Sequence, residues 1–371
     1  MVVNRILSLV FALVTLFNFS ASAIVVEGEI DNGSEMSAFI LHHVVDDHEW
    51  HFYGEGEKAI HLALPIILVD NGLQVFSSDR FSVVKVDTLH GHHGEASVEK
   101  YAQTEDGNYA LFHGKIYKTE NGVLNFDEHG HPTNTRPLDF SITKNVAVLF
   151  LATIIMILIF FNVGKAYKTR GVNSAPKGLQ SFMEPLILFV RNEVAIPNIG
   201  EKKYAKFMPY LLTAFFFIWI INLLGLIPFL GGVNLTGNIS FTVVLALITY
   251  FITQFSGNKD YWKHVFLPPV PVALYPIMIP VEIIGTLTKP FALMIRLFAN
   301  ITAGHIVVLA FIGIIFLNKS AGWSALSIPM GLFISALELL VAFLQAYIFT
   351  MLSALFIGTA VEEHDHHDDH H

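Results

Sequence analysis

LMIRLFANITAGHIVV, residues 293–308, lies inside an almost continuously apolar run from Pro268 to Leu317, yet it carries a permanent cation at Arg296. Asn300 and His305 follow close behind. An upright helix needs about 20 residues to cross the hydrocarbon layer. The run is therefore much too long for one upright crossing, and so is Ala325 to Val361. Three shorter apolar spans precede them: Val146 to Val163, Leu211 to Leu230 and Ile239 to Phe255.

The composition agrees with this reading. Of 371 residues, 53% are hydrophobic and only 14% charged, the mark of an integral membrane protein. The expected fold is all-α and polytopic, with about five transmembrane helices and a small β-rich exported region before them. There are no cysteines, which removes disulfides and thiolate metal sites. No basic patch with interleaved aromatics points to nucleic acid. The sequence contains no GxxxxGK[ST] loop, so it is not expected to bind nucleotide.

Residues 1–23 read as a secretory signal peptide: Arg5, an apolar core from Ile6 to Phe19, and Ala21-Ser22-Ala23 as a cleavage site. Residues 24–137 are polar and turn-rich. Two apolar runs flank Asp70-Asn71-Gly72, a hairpin signal that recurs at Asn121-Gly122. Histidines are frequent there (His42, His43, His48, His51, His61, His90, His92, His93, His113, His129, His131), but none shows a strict ligand spacing. They read as solvated histidines, with no metal site. Residues 138–361 form the membrane domain, and residues 362–371 a His- and Asp-rich tail.

Cationic loops mark the cytoplasmic side. Lys165, Lys168, Arg170 and Lys177 follow the first span, and Lys259 and Lys263 follow the third. The exported N-terminus then faces out and the tail lies inside. Charge alone does not separate five crossings from seven. Five is preferred, because a bent helix around Lys289-Pro290 needs no additional polar turn. Between the first two spans, Leu179, Phe182, Leu186, Phe189 and Val190 recur at helical spacing, which predicts a helix along the membrane surface.

Between Leu211 and Gly358, Lys259, Asp260, Lys263 and Lys319 are expected in loops, and Lys289 near a helix break. Glu282, Arg296 and Glu338 remain inside the membrane, with His305 as a titratable companion. A charge at mid-membrane costs about 2.5–3.5 kcal/mol on insertion scales, so these groups must face protein or water. Asn300 lies ~40° around the helix from Arg296, and His305 ~13 Å along it on the opposite face. Glu338 and Gln345 share a face ~10 Å apart, with Ser335 one turn earlier. Two polar strings result: Asn300, His305, Glu338 and Gln345, and Glu282 with Thr286. Carboxylate and imidazole load and release protons, whereas arginine stays charged and lowers the pKa of a carboxylate beside it. Such a set suits a proton path with an electrostatic barrier. A secondary transporter binding an anion at Arg296, and a scaffold locked by an Arg296–Glu338 ion pair, are the rival readings.

The stretches LTKPFALMIRLFANITAGHIV (287–307), LELLVAFLQAYIFTMLSALFIGTAVEEH (337–364) and PYLLTAFFFIWIINLLGLIP (209–228) resemble the a subunit of the bacterial F-type ATP synthase membrane sector. The resemblance covers about Phe182 to His364. It implies that Arg296 faces a ring of c subunits. It further implies that Asn300, His305, Glu338 and Gln345 line an outer half-channel, and that Glu282 belongs to an inner one. Many bacterial members carry Glu where His305 stands and His where Glu338 stands; the exchange keeps one acid and one imidazole. The resemblance also implies five crossings with the last two helices slanted along the ring, a b-subunit stator and the rest of the complex as partners, and no cofactor. The implied location is the cell inner membrane, with the N-terminal region periplasmic and the C-terminus cytoplasmic.

Overall fold

The computed structural model describes residues 46–53, 60–70, 72–90, 96–127, 130–171, 175–227, 230, 233–268, 270–317, 322 and 324–362. The signal-peptide reading, nearly all of the His/Asp tail, and Lys319 lie outside these residues.

The N-terminal region is built from short antiparallel strands. β1 (Glu49–Tyr53) pairs with β2 (Ile60–Ala63). β3 (Pro65–Val69) lies between β4 (Leu73–Ser77) and β9 (Leu138–Asp139). β5 (Val83–His90), β6 (Ala96–Gln103), β7 (Tyr109–Phe112) and β8 (Lys115–Lys118) form a four-stranded meander. In β3 the side chains alternate as the pleat requires: Ile66 and Leu68 are buried against Phe81, Tyr109 and Ile116, while Pro65 and Val69 face out. The Asp70–Gly72 signal joins β3 to β4 with Val69 opposite Leu73. At the second signal, Asn121 (φ 54°) and Gly122 (φ 76°) both take the left-handed conformation of a tight hairpin turn. Only the single bridge Glu120–Val123 closes it.

Five helices are long and apolar enough to span a membrane among the described residues. They are α1 (Lys144–Arg170), α4 (Tyr204–Gly225), α5 (Ile239–Ser256), α7 (Tyr275–Leu317) and α8 (Ser324–Val361). Helix α1 stops at Gly171 (φ 77°), with Lys168 and Arg170 in the last turn, where cations complement the helix dipole. Helix α4 departs from its expected limits. It starts earlier, at Tyr204, and ends at Gly225 instead of Leu230, because the Pro228 ahead disfavours helix in the residues before it. Pro268, Pro269 and Pro271 likewise delay α7 to Tyr275.

Helix α7 has 43 residues and continues through Pro280 and Pro290. At 1.5 Å per residue it measures about 65 Å, roughly twice the hydrocarbon thickness. Lys289 therefore stands within a continuous helix, not at a break. Lys259, Asp260 and Lys263, expected in a loop, form α6 (Lys259–Phe266). Asn258 precedes this helix, whose Tyr261, Trp262, Val265 and Phe266 recur at helical spacing.

Helix α2 (Leu179–Phe189) runs through a π turn (Val190–Ala195) into the short α3 (Ile196–Ile199). Leu179 and Phe182 are exposed on it, and Val190 and Val194 are buried. The helical core joins Leu211, Phe215 and Ile218 of α4, Leu293 and Leu297 of α7, and Ala346, Phe349 and Ile357 of α8. Ala342, Ala346, Ala354 and Ala360 are fully buried along α8, and such small residues let helices approach closely in lipid. At the end of α8, Lys203 Nζ and Asn258 Nδ2 both donate to the Val361 carbonyl, at 2.7 and 2.8 Å. These contacts satisfy an acceptor that the helix leaves unpaired.

The β-rich region is joined to α1 by more than the chain. Lys144 N–H donates to the Asp47 carbonyl at 2.8 Å, and Asn145 N–H to Asp46 Oδ1 at 3.1 Å. Both are first-turn donors that the helix itself leaves free. His48 Nε2 lies 3.3 Å from Asp139 Oδ2, with the histidine buried.

Candidate functional site

Helices α7 and α8 cross antiparallel, and their polar residues meet in that register. Asn300 Nδ2 donates to Gln345 Oε1 at 2.9 Å. One turn further along α7, Gly304 faces Glu338 of α8. A Cβ built on Gly304 would stand 2.7 Å from Glu338 Oε1, so the missing side chain is what makes room for the carboxylate. Glu338 is 7% exposed and Gln345 1% exposed, burial that a polar group in a membrane protein tolerates only where protein or water meets it. His305 is the residue of α7 that follows Gly304. Ser335 lies one turn before Glu338 on α8 and is partly exposed.

Arg296 sits one turn before Asn300, partly exposed, beside the buried Leu293 and Leu297. Among the described residues no ion pair joins Arg296 to Glu338 or Glu282. The internal lock considered from sequence is not formed among the described residues. Glu282 and Thr286 lie on the first half of α7, both partly exposed, with Glu282 about 21 Å of helix from Arg296. The Thr286 hydroxyl donates to the Ile283 carbonyl of its own helix at 2.7 Å. Arg296 thus separates the two polar strings along one helix: Asn300 and Gly304–Glu338 to one side, Thr286 and Glu282 to the other.

Residues 146–358 match the family described as ATP synthase A chain. The chain belongs to the ATP synthase subunit a family. Among its relatives, ATP synthase subunit a 2 of Chlorobaculum tepidum is 46% identical over 290 residues, covering 75% of this chain and 80% of that protein. ATP synthase subunit a 2 of Prosthecochloris aestuarii is 43% identical over 315 residues, or 82% and 93% of the two chains. ATP synthase subunit a of Chloroherpeton thalassium is 49% identical over 237 residues, 63% of this chain and 70% of that protein. The family match reaches back to Val146 and so includes α1, which the motif resemblance from Phe182 leaves out. Residues 39–140 match a domain of unknown function.

This subunit a chain holds polar groups that sequence reasoning passed over. A small cleft opens between α5, α7 and α8, where Thr249 and Thr253 stand beside the Thr286 and Lys289 already singled out. Lys289 Nζ lies 5.4 Å from the centre of the Phe356 ring. Above the cleft, Tyr210 and Thr249 share a 2.5 Å hydrogen bond, and Ser353 lies 3.5 Å from the same threonine. Thr242, Ala246, Thr249 and Thr253 form the buried face of α5. Their helical spacing was visible in the sequence and would have marked that face. At the other end, Thr236 Oγ1 donates to Asn222 Oδ1 at 3.0 Å, and Asn222 Nδ2 to the Ala342 carbonyl at 3.3 Å. That connection spans three segments far apart in sequence and has no local signature.

Proposed function

We propose that this protein is the stationary a subunit of an F-type ATP synthase, carrying protons between the two membrane faces and the rotating ring of c subunits. Family membership supports the role. The observation that carries the site assignment is the arrangement on α7 and α8: Arg296, with no carboxylate partner among the described residues, one turn from the Asn300–Gln345 hydrogen bond. A proton enters from outside past Gln345, Glu338, His305, Asn300 and Ser335. It neutralises a ring carboxylate, which then turns into lipid. After nearly a full turn that carboxylate approaches Arg296 from the other side. The fixed cation favours its ionised form, and the proton leaves toward Thr286 and Glu282. Each charge crossing 100 mV yields ~2.3 kcal/mol, so several cross for every ATP made.

In this reading the β-rich region is exported to the periplasm behind a signal peptide at residues 1–23, and the C-terminal tail is cytoplasmic. Lys165, Lys168 and Arg170 at the end of α1 support that orientation. Helices α7 and α8 lie strongly slanted in the inner membrane, since about 65 and 57 Å of apolar helix exceed the hydrocarbon layer when upright. The c ring covers their exposed face, and a b-subunit stator holds the subunit still.

Arg296→Ala in inverted vesicles tests the role. The assembled complex should persist while ATP-driven proton pumping is lost. Retained pumping, or proton transport by the isolated chain without a ring, overturns it.

A further inference from the structure

Trp50 of β1 reaches across 180 residues of sequence to the loop between α4 and α5: its indole N–H donates to the Leu230 carbonyl at 2.8 Å. The ring is buried, 7% exposed, among Val148 and Ala152 of α1, Ile221 and Leu224 of α4, and Val233 and Leu235 of the loop. A buried indole requires a partner for its N–H, and here that partner is a loop carbonyl. The same loop continues to Thr236, which holds Asn222, which holds the Ala342 carbonyl. Ala342 lies on α8 between Glu338 and Gln345. Three successive contacts therefore lead from the β-rich region to the stretch of α8 that carries the outer carboxylate and amide.

We propose that the β-rich region is a clamp on the outer proton entrance, with Trp50 as its positioning residue. The proposal rests on the orientation and path given under Proposed function. The clamp has a base. Asp46, Asp47 and the His48–Asp139 pair fix the strand region to the start of α1. A domain tethered only by its chain has no use for a buried tryptophan that shares an apolar cluster with α1, α4 and the loop. Small misplacements of groups in a reaction path are costly in rate, which gives a distant contact a way to affect proton entry.

Trp50→Phe keeps an aromatic ring in the apolar pocket and deletes the donor together with part of the indole's volume. The assay is passive proton flux through vesicles holding the assembled membrane sector, stripped of its catalytic head and normalised to the amount of subunit a. The pH is varied on one side at a time. Loss of one buried hydrogen bond should lower the flux about fivefold. The pH at half-maximal flux should move when the outer pH is varied and stay fixed when the inner pH is varied. Thr236→Val, which cuts the next link, should show the same side-selective shift, and it serves as the reading if the Trp50 variant does not accumulate. Wild-type flux per complex, or an equal change from both sides, overturns the clamp. Neither result touches Arg296, whose own substitution decides the underlying role separately.

Discussion

Asn300 of α7 and Gln345 of α8 are joined side chain to side chain, amide to amide, at 2.9 Å. The bond bridges the two longest helices beside Arg296, and Gln345 is buried. Removing one partner leaves a buried amide oxygen unsatisfied, at a cost of about 1–3 kcal/mol. Asn300→Ala should lower ATP-driven pumping with the complex assembled. Asn300→Ala with Gln345→Ala should lose less than the sum of the single losses, because the two share one interaction. Pumping rates of the four chains, measured per assembled complex, check this; strict additivity contradicts the coupling.

Gly304 and Gly358 make contrasting predictions. A Cβ at Gly304 meets the end of a flexible side chain, Glu338 Oε1, whereas one at Gly358 overlaps the Asn198 backbone carbonyl. Gly304→Ala should assemble, since alanine favours helix by about 1 kcal/mol over glycine. It should pump poorly because the carboxylate is displaced, and Glu338→Asp in the same chain should recover part of the rate. Gly358→Ala should reduce the amount of assembled subunit, because backbone does not swing aside. Immunoblots and pumping assays on the same membranes separate the two effects.

The Asp139 carboxyl outside the membrane sets an acid limit. Burial opposes its ionisation, but hydrogen bonds from His48 and Ser141 outweigh burial and hold it at about 2. A folded value below the ordinary one of about 3.9 stabilises the fold above that ordinary value. The contribution is lost as pH falls through the folded value. Hydrogen-exchange protection at β3 and β9, corrected for the intrinsic exchange rate at each pH, should therefore stay flat down to about pH 4 and fall between about pH 4 and 2. Asp139→Asn should remove that dependence; an unchanged acid profile in the variant contradicts it.

Much of this fold could be read from residue order. Apolar run length marked all five spanning helices, and Asp70-Asn71-Gly72 marked the β3–β4 turn, because both signals are local. The limits of α4 and α7 were harder, since Pro228 and the Pro268–Pro271 cluster had to be weighed against continuing hydrophobicity. Of the site, Arg296, Glu282 and Glu338 stood out as charges in apolar runs, and helical spacing grouped their neighbours. The Asn300–Gln345 bond, the Gly304 recess and the Asn222–Thr236 link were not legible. They depend on how separate helices cross, which no periodicity within one helix records.

The proposed gate is most directly measured as a distance in the intact, membrane-embedded complex. The Arg296 guanidinium should lie within ~4–6 Å of the ring carboxylate facing it, the range in which an opposite charge shifts a carboxylate's ionisation. An Arg296 turned toward acyl chains, or bound to Glu338 with no ring residue beside it, contradicts the gate.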